Sequence, residues 1–253
     1  MTKYRTNLTE SQYMTILVII GDNRKRQRSL KEILDAIFYL SKTGCQWRML
    51  PSDFPKWELV YYYFRKWSLD GTLEEIHEVL RNRLRRKRGL KASPSAGIID
   101  SQSVAKSKVS AEDVGFDGGK KIKGRKRHII TDTQGLLLAV KVHSAQPHDS
   151  KAAMDVIGLM EHKFARMKKI YADGGYRGKL VDNVKERFGW EMEITLRSDK
   201  SEDFKPLPKR WIVERSFAWL GDFRRLAKDF ERTCCAAENM IYIAFIALML
   251  KWL

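Results

Sequence analysis

Three acids, Asp100, Asp173 and Glu214, stand where a carboxylate can do more than keep a surface wet. Asp100 and Asp173 each close a short apolar run, Gly97-Ile98-Ile99-Asp100 and Lys169-Ile170-Tyr171-Ala172-Asp173, and loop formers follow both. Such runs read as short buried strands, and in a mixed α/β sheet catalytic groups gather at strand ends. Glu214 lies in a segment where Ile212, Ser216, Trp219, Leu220, Phe223, Ala227 and Phe230 recur at helical spacing, predicting one buried helix face. Glu214 itself points about 200° away from Ile212 and shares its own face with Arg210, Phe217, Gly221 and Arg225. Taken alone, it reads equally well as one partner of an exposed i,i+4 ion pair. If the two strands are neighbours, however, Asp100 and Asp173 converge, and Glu214 completes a three-carboxylate pocket from a helix packed on the sheet. Adjacent carboxylates stay ionised only beside a cation, and hard oxygen ligands select Mg²⁺ or Mn²⁺. Two such ions about 4 Å apart can activate an attacking oxygen and stabilise the leaving one at a phosphodiester.

The elements that must hold these acids follow from Ala96 onward. A strand ending at Asp100 is followed by a glycine- and lysine-rich loop over 106–126 and a hairpin turning at Asp132-Thr133-Gln134-Gly135. A helix over 149–166, the strand ending at Asp173, a helix over 180–188, a strand over 191–196 and the Glu214 helix complete the order β-β-β-α-β-α-β-α. This order predicts a mixed sheet with flanking helices. Other acids compete for the trio. Asp132 suits a turn for local backbone reasons, Asp149 is placed to cap the next helix, and Asp117 sits in the glycine-rich loop.

Residues 1–91 read differently. Thr9 with Gln12, Ser29 with Glu32, and Thr72 with Glu75 each form a capping-box pattern, and apolar stripes follow. Together with the helix holding Trp57, Val60, Tyr61 and Phe64, they predict a small unit of about four helices. It ends in Arg81, Arg83, Arg85, Arg86, Lys87, Arg88 and Lys91, seven cations in eleven residues without an acid. Such a run repels itself unless a polyanion compensates. The whole chain carries a formal charge of +17. That excess points to nucleic acid, and no lipidation motif or long basic amphipathic helix favours a membrane surface. Cys45, Cys234 and Cys235 form no C-x-x-C pair and read as reduced thiols. The apolar run 240–250 is short for a bilayer and reads as a buried helix. A cytoplasmic protein is expected.

At this point the chain resembles a DDE transposase of the bacterial insertion-sequence-five family, with its ribonuclease-H-like catalytic fold. In the helical part the matching blocks are Asp35 to Leu40, Thr43 to Arg48 and Asp53 to Trp57. In the catalytic part they are Ile99 to Val104, Gly124-Arg125-Lys126-Arg127-His128, Tyr171 to Gly178 and Arg210-Trp211-Ile212-Val213-Glu214-Arg215. The resemblance implies a helical DNA-binding domain over 1–91 and a catalytic domain over 92–253. It makes Asp100, Asp173 and Glu214 the metal-binding trio, with Mg²⁺ or Mn²⁺ and two ions expected. DNA contacts are expected from Arg81, Arg83, Arg85, Arg86, Lys87, Arg88, Lys120, Lys121, Arg125, Lys126, Arg210, Arg215 and Arg225. The partners would be double-stranded DNA and further copies of the chain in a synaptic complex. Relatives surround the glutamate with a Tyr-Arg-Glu-Lys signature. Here Arg210 and Glu214 fit, but Leu207 takes the Tyr position and Gly221 the Lys position, leaving Arg215, Arg224, Arg225 or Lys228 as substitutes. A non-catalytic DNA binder derived from a transposase is the rival reading. Ser101, Ser103, Tyr171 and Tyr176 are the alternative nucleophiles for a covalent mechanism.

Overall fold

A computed structural model describes residues 4–22, 24, 26–108, 111–195 and 209–253. They form two compact units, Met1–Leu90 with Leu220–Leu253, and Lys91–Trp219. The last segment, Leu220–Leu253, packs with the N-terminal helices.

The first unit is helical, with α1 (Glu10–Ile20), α2 (Leu30–Thr43), α3 (Trp57–Leu69) and α4 (Thr72–Lys87). Thr9 and Ser29 form the expected reciprocal capping boxes with Gln12 and Glu32. The third box does not form. The α4 N-cap is Gly71, at φ +80°, a left-handed conformation that suits glycine, and Asp70 Oδ1 takes both the Thr72 N–H and the Thr72 hydroxyl. A nearby carboxylate has displaced the hydroxyl from the capping role. Ile16, Ile33, Ile37, Leu40, Phe64, Leu73, Ile76, Leu80 and Leu84 build the core.

The second unit holds a six-stranded mixed sheet. Its strands are β1 (Ala96–Ala105), β2 (Gly115–Asp117), β3 (Ile122–Thr131), β4 (Leu137–Ser144), β5 (Lys169–Asp173) and β6 (Glu191–Thr195). β1 lies antiparallel to β3 and parallel to β5, and β5 is parallel to β6. β2 pairs Ile122–Gly124 and β4 pairs Arg125–Thr131, so both share the β3 edge opposite β1. The order β4-β3-β1-β5-β6, with only the β3 strand running against its β1 and β4 neighbours, is the expected ribonuclease-H-like mixed sheet. The loop expected over 106–126 is shorter than read, because β2 and the first residues of β3 occupy part of it. α5 (Asp149–Gly158) and α6 (Lys179–Phe188) bury Ala153, Val156, Ile157, Leu180 and Val184 with Ile99, Ile130, Ile170 and Ala172 of the sheet. α5 stops at Gly158, short of the helix expected to 166, and Leu159 just after it is exposed.

α7 (Arg210–Gly221) follows, then a single 3₁₀ turn at Arg224–Leu226 and α8 (Cys234–Trp252). The helical pattern read through Phe230 therefore ends at Gly221. Ile212, Ser216 and Leu220 are buried on α7 as expected, while Ala227 is exposed. α8, at 19 residues, is long and apolar enough by length and composition to cross a bilayer, and is longer than the run read from sequence. Yet 67% of that stretch is buried, and it packs on α4, α2 and α3 as the central helix of the first unit.

Candidate active site

The parallel pairing of β1 with β5 sets Ile98 beside Tyr171. Asp100 and Asp173 each lie two residues further on, so alternation puts both carboxylates at one level on one sheet face. Ile99, Ile170 and Ala172 point the other way, into the core under α5 and α6. The condition on which convergence depended, neighbouring strands, is met.

Both aspartates also serve the local backbone. Asp100 Oδ1 accepts the Ser101 N–H at 2.7 Å. Asp173 Oδ1 accepts the Gly175 N–H at 2.8 Å and caps the 3₁₀ turn Gly174–Tyr176. Burial pushes the Asp100 carboxyl up to about 6 and the Asp173 charge adds to this, while the Ser101 N–H, Arg210 and Lys120 oppose it. Lys120, from the turn before β3, reaches the Ser101 carbonyl at 3.3 Å.

Glu214 sits one turn into α7 and is half exposed. Its Oε1 lies 3.1 Å from Arg210 Nε, the i,i+4 pair that its spacing allows. The same guanidinium places Nη2 3.4 Å from Asp173 Oδ2. Arg210 thus stands between the helix acid and the strand acid. Among the described residues no group of three or more His, Cys, Asp or Glu side chains is close enough to hold a metal ion. α7 is seated by Ser216, whose hydroxyl donates to the Gly135 carbonyl at 2.9 Å, and by Arg215, which donates to the Gln134 carbonyl at 3.0 Å. Arg215 also lies 4.7 Å and 4.8 Å from the ring centres of Trp211 and Trp219. Leu207, at the Tyr position of the signature, and the end of the strand read over 191–196 lie outside the described residues. Lys209, next to them, donates to the Tyr171 hydroxyl and sits 3.7 Å from its ring centre.

Beneath the acids runs a buried polar chain that the sequence reading did not assemble. The Tyr176 hydroxyl and His128 Nε2 are 2.8 Å apart, and His128 Nδ1 lies 3.4 Å from His143 Nε2. His143 Nδ1 in turn donates to the Ser144 carbonyl at 2.8 Å. With both rings neutral, every group has one consistent direction of donation, from Tyr176 to His128 to His143 to the backbone. Burial drives His128 down to about 3, with His143 adding to the shift. Lys126 donates to Asp149 at 2.7 Å. The available signal was the run Gly124-Arg125-Lys126-Arg127-His128, too polar for an ordinary central strand.

Several expected DNA contacts are placed elsewhere. Arg125, Lys126, Arg225, Arg81 and Arg85 are buried. Arg125 is wrapped on the Glu112 carbonyl and Lys126 on Asp149, while Arg225 pairs with Glu231 at 2.7 Å. Arg81 and Arg85 lie on the inner face of α4, one turn apart, each directly after a buried leucine, Leu80 and Leu84. Arg83, Arg86, Lys87, Arg88, Lys120 and Lys121 are exposed, and Arg210 and Arg215 are partly so. Of the competing acids, Asp132 accepts the Gln134 and Leu136 N–H groups of its turn, as read. Asp149 does not cap α5, since His148 does. Asp117 is held firmly rather than loosely, by Ser103 and the Gly119 and Lys120 N–H groups. Of the hydroxyls, Ser101, Ser103, Tyr171 and Tyr176 are all buried.

Known proteins share this arrangement of sequence. A family described as transposase DDE domain matches residues 91–250, and one described as putative transposase of IS4/5 family matches residues 8–77. A putative transposase for insertion sequence element IS402 of Burkholderia cepacia is 37% identical over 117 residues, 43% of this chain and 54% of that protein. The chain thus spans about half the length of the curated relative it matches. Asp100, Asp173 and Glu214 all fall inside the first match, which takes in more than half of the chain, and on that ground the chain belongs to the DDE-domain transposases of the IS4/5 kind.

Proposed function

We propose that this protein binds the terminal inverted repeats of an insertion sequence, cleaves DNA at the element ends and joins the 3′-hydroxyls to target DNA. The observation that carries the reading is the registered placement of Asp100 and Asp173 on adjacent parallel strands, with Glu214 joined to Asp173 through Arg210. The residue types suit a divalent cation: the donor set is all oxygen, and the Asp100 carboxyl, raised chiefly by burial and further by the Asp173 charge, is one whose ionised form a cation would favour. Asp100, Asp173 and Glu214 would hold it. Bound there, Mg²⁺ or Mn²⁺ supplies Lewis-acid polarisation of a phosphodiester and lowers the pKa of an attacking hydroxyl.

The chain's own residues do the remaining work. Burial of Ser101, Ser103, Tyr171 and Tyr176 supports water and then a DNA 3′-hydroxyl as nucleophiles, without a covalent protein–DNA intermediate. The neutral Tyr176–His128–His143 chain supports the floor of the site and ties β3 to β4 and to the turn that follows Asp173. Arg210 and Lys120 bring positive charge to the position where a phosphate would arrive. End recognition belongs to the helical unit, whose exposed Arg83 and Arg86 favour phosphate contacts, and synapsis requires further copies of the chain.

The test is strand joining on end DNA in Mg²⁺ or Mn²⁺. Asp100→Asn, Asp173→Asn and Glu214→Gln are each expected to slow joining by roughly 10³-fold or more. Ser101→Ala and Tyr176→Phe are expected to keep substantial joining. Full activity in Glu214→Gln removes the trio, and label that stays on denatured protein removes the metal-dependent mechanism.

A further inference from the structure

A single guanidinium touches two acids of the proposed trio from different elements, Asp173 on β5 and Glu214 on α7. The contact is close in charge but loose in bonding. Arg210 Nε is buried and makes no hydrogen bond, although Glu214 Oε1 is only 3.1 Å away. A well-formed Arg–carboxylate pair uses parallel N–H···O bonds, and this one does not. Its positive charge also acts on Asp100. A guanidinium is weakly hydrated, and its planar fork matches phosphate as well as carboxylate, so a DNA phosphate is a competent alternative partner.

We infer that Arg210 competes with the divalent cation for Asp173 and Glu214, so that metal binds weakly until a DNA phosphate draws the guanidinium away. This rests on the reading of Asp100, Asp173 and Glu214 as metal ligands. The consequence is a safeguard: the cleavage centre assembles only on DNA. By linkage, whatever factor DNA adds to metal affinity, metal adds to DNA affinity.

The experiment is calorimetric titration of MnCl₂ into the full-length protein, with and without a short DNA duplex. Wild type, Arg210→Gln, Arg210→Lys and the Asp100→Asn/Asp173→Asn double variant are compared, the last with duplex correcting for Mn²⁺ held by the DNA itself. In wild type the duplex is expected to tighten Mn²⁺ binding by about tenfold or more, since one nearby cation is removed from the acids. Arg210→Gln is expected to bind Mn²⁺ that tightly without DNA and to gain little from it. Arg210→Lys, whose single ammonium does not bridge both acids, is expected to fall between. If Arg210→Gln and Arg210→Lys bind Mn²⁺ no more tightly than wild type while the double aspartate variant loses binding, the inference fails and the trio stands. If Arg210→Gln does not fold, Arg210→Lys decides by the same comparison. If the double aspartate variant binds Mn²⁺ as wild type does, the reading of the acids fails first.

Discussion

At the scale of single residues, the basic side chains divide by burial rather than by type. The run 81–88 looked uniform in sequence, yet α4 turns Arg81 and Arg85 inward and Arg83 and Arg86 outward. Replacing Arg83 and Arg86 together by Ala is expected to leave the thermal midpoint nearly unchanged and to reduce the log K against log salt slope by about 1 for each lost phosphate contact. Arg81→Ala is expected to do the reverse. It removes a buried stem and charge from the helical core, at a cost of roughly 2–3 kcal/mol in a urea melt. The buried histidine offers a pH test. Its folded pKa, about 3, lies below the ordinary 6.5, so the native state binds fewer protons than the unfolded state between those values. Its contribution is therefore complete above pH 6.5 and is lost as pH falls toward 3. Urea midpoints of wild type are expected to drop from pH 7 to pH 5. His128→Asn is expected to flatten that dependence by roughly 1.4 kcal/mol per pH unit, which is one proton's worth.

At the scale of elements, the β1–β3 ladder sets the position of Asp100, and Gly124 lets it close. A Cβ built on Gly124 would meet the Val104 carbonyl oxygen at 1.9 Å, and that atom is backbone, with no side-chain end to swing aside. Gly124→Ala is expected to force the two strands apart and destabilise the fold by about 2–4 kcal/mol. Because the shift passes along β1, Mn²⁺ stabilisation against heat should shrink in the same variant. Unchanged melting would mean that the ladder relaxes at no cost. The helices show the converse. Thr9 and Ser29 cap as their local sequence dictates, while Thr72 loses that role to Asp70, two residues away.

At the scale of the whole molecule, the compact units do not follow a single cut of the chain. Leu220–Leu253 belongs with Met1–Leu90, and α8 contributes Met240, Ile241, Phe245 and Met249 to that unit's core. A fragment ending at residue 91 would leave the α4 face that meets α8 open to water. It is expected to be poorly structured by circular dichroism and prone to aggregate, since large apolar patches do not stay solvated. Fusing 220–253 to residues 4–90 through a flexible linker is expected to restore cooperative melting. A fragment 4–91 that melts cooperatively on its own would show that α8 is dispensable.

The sequence by itself determined the classes of element and singled out the acids proposed as ligands. Alternation and apolar runs are local, so the strand ending at Asp173 and two of the three capping boxes could be read directly, but β1 runs past Asp100 to Ala105 because pairing with β3 carries the polar Ser101–Ser103 stretch on as strand. It did not determine which cations face solvent along a short basic run, because that depends on the helix face the core claims. Nor did it reveal that Arg125, Lys126 and His128 would be buried. A strand holding four cations and a histidine reads as exposed until β1, β2 and β4 enclose it and Asp149, the Glu112 carbonyl and Tyr176 satisfy Lys126, Arg125 and His128. Only tertiary structure placed Asp100 level with Asp173, since parallel pairing joins residues far apart in sequence. The last 34 residues closed the helical unit for the same reason: burial of an apolar helix is decided by the surface available to it, and α2, α3 and α4 supplied that surface.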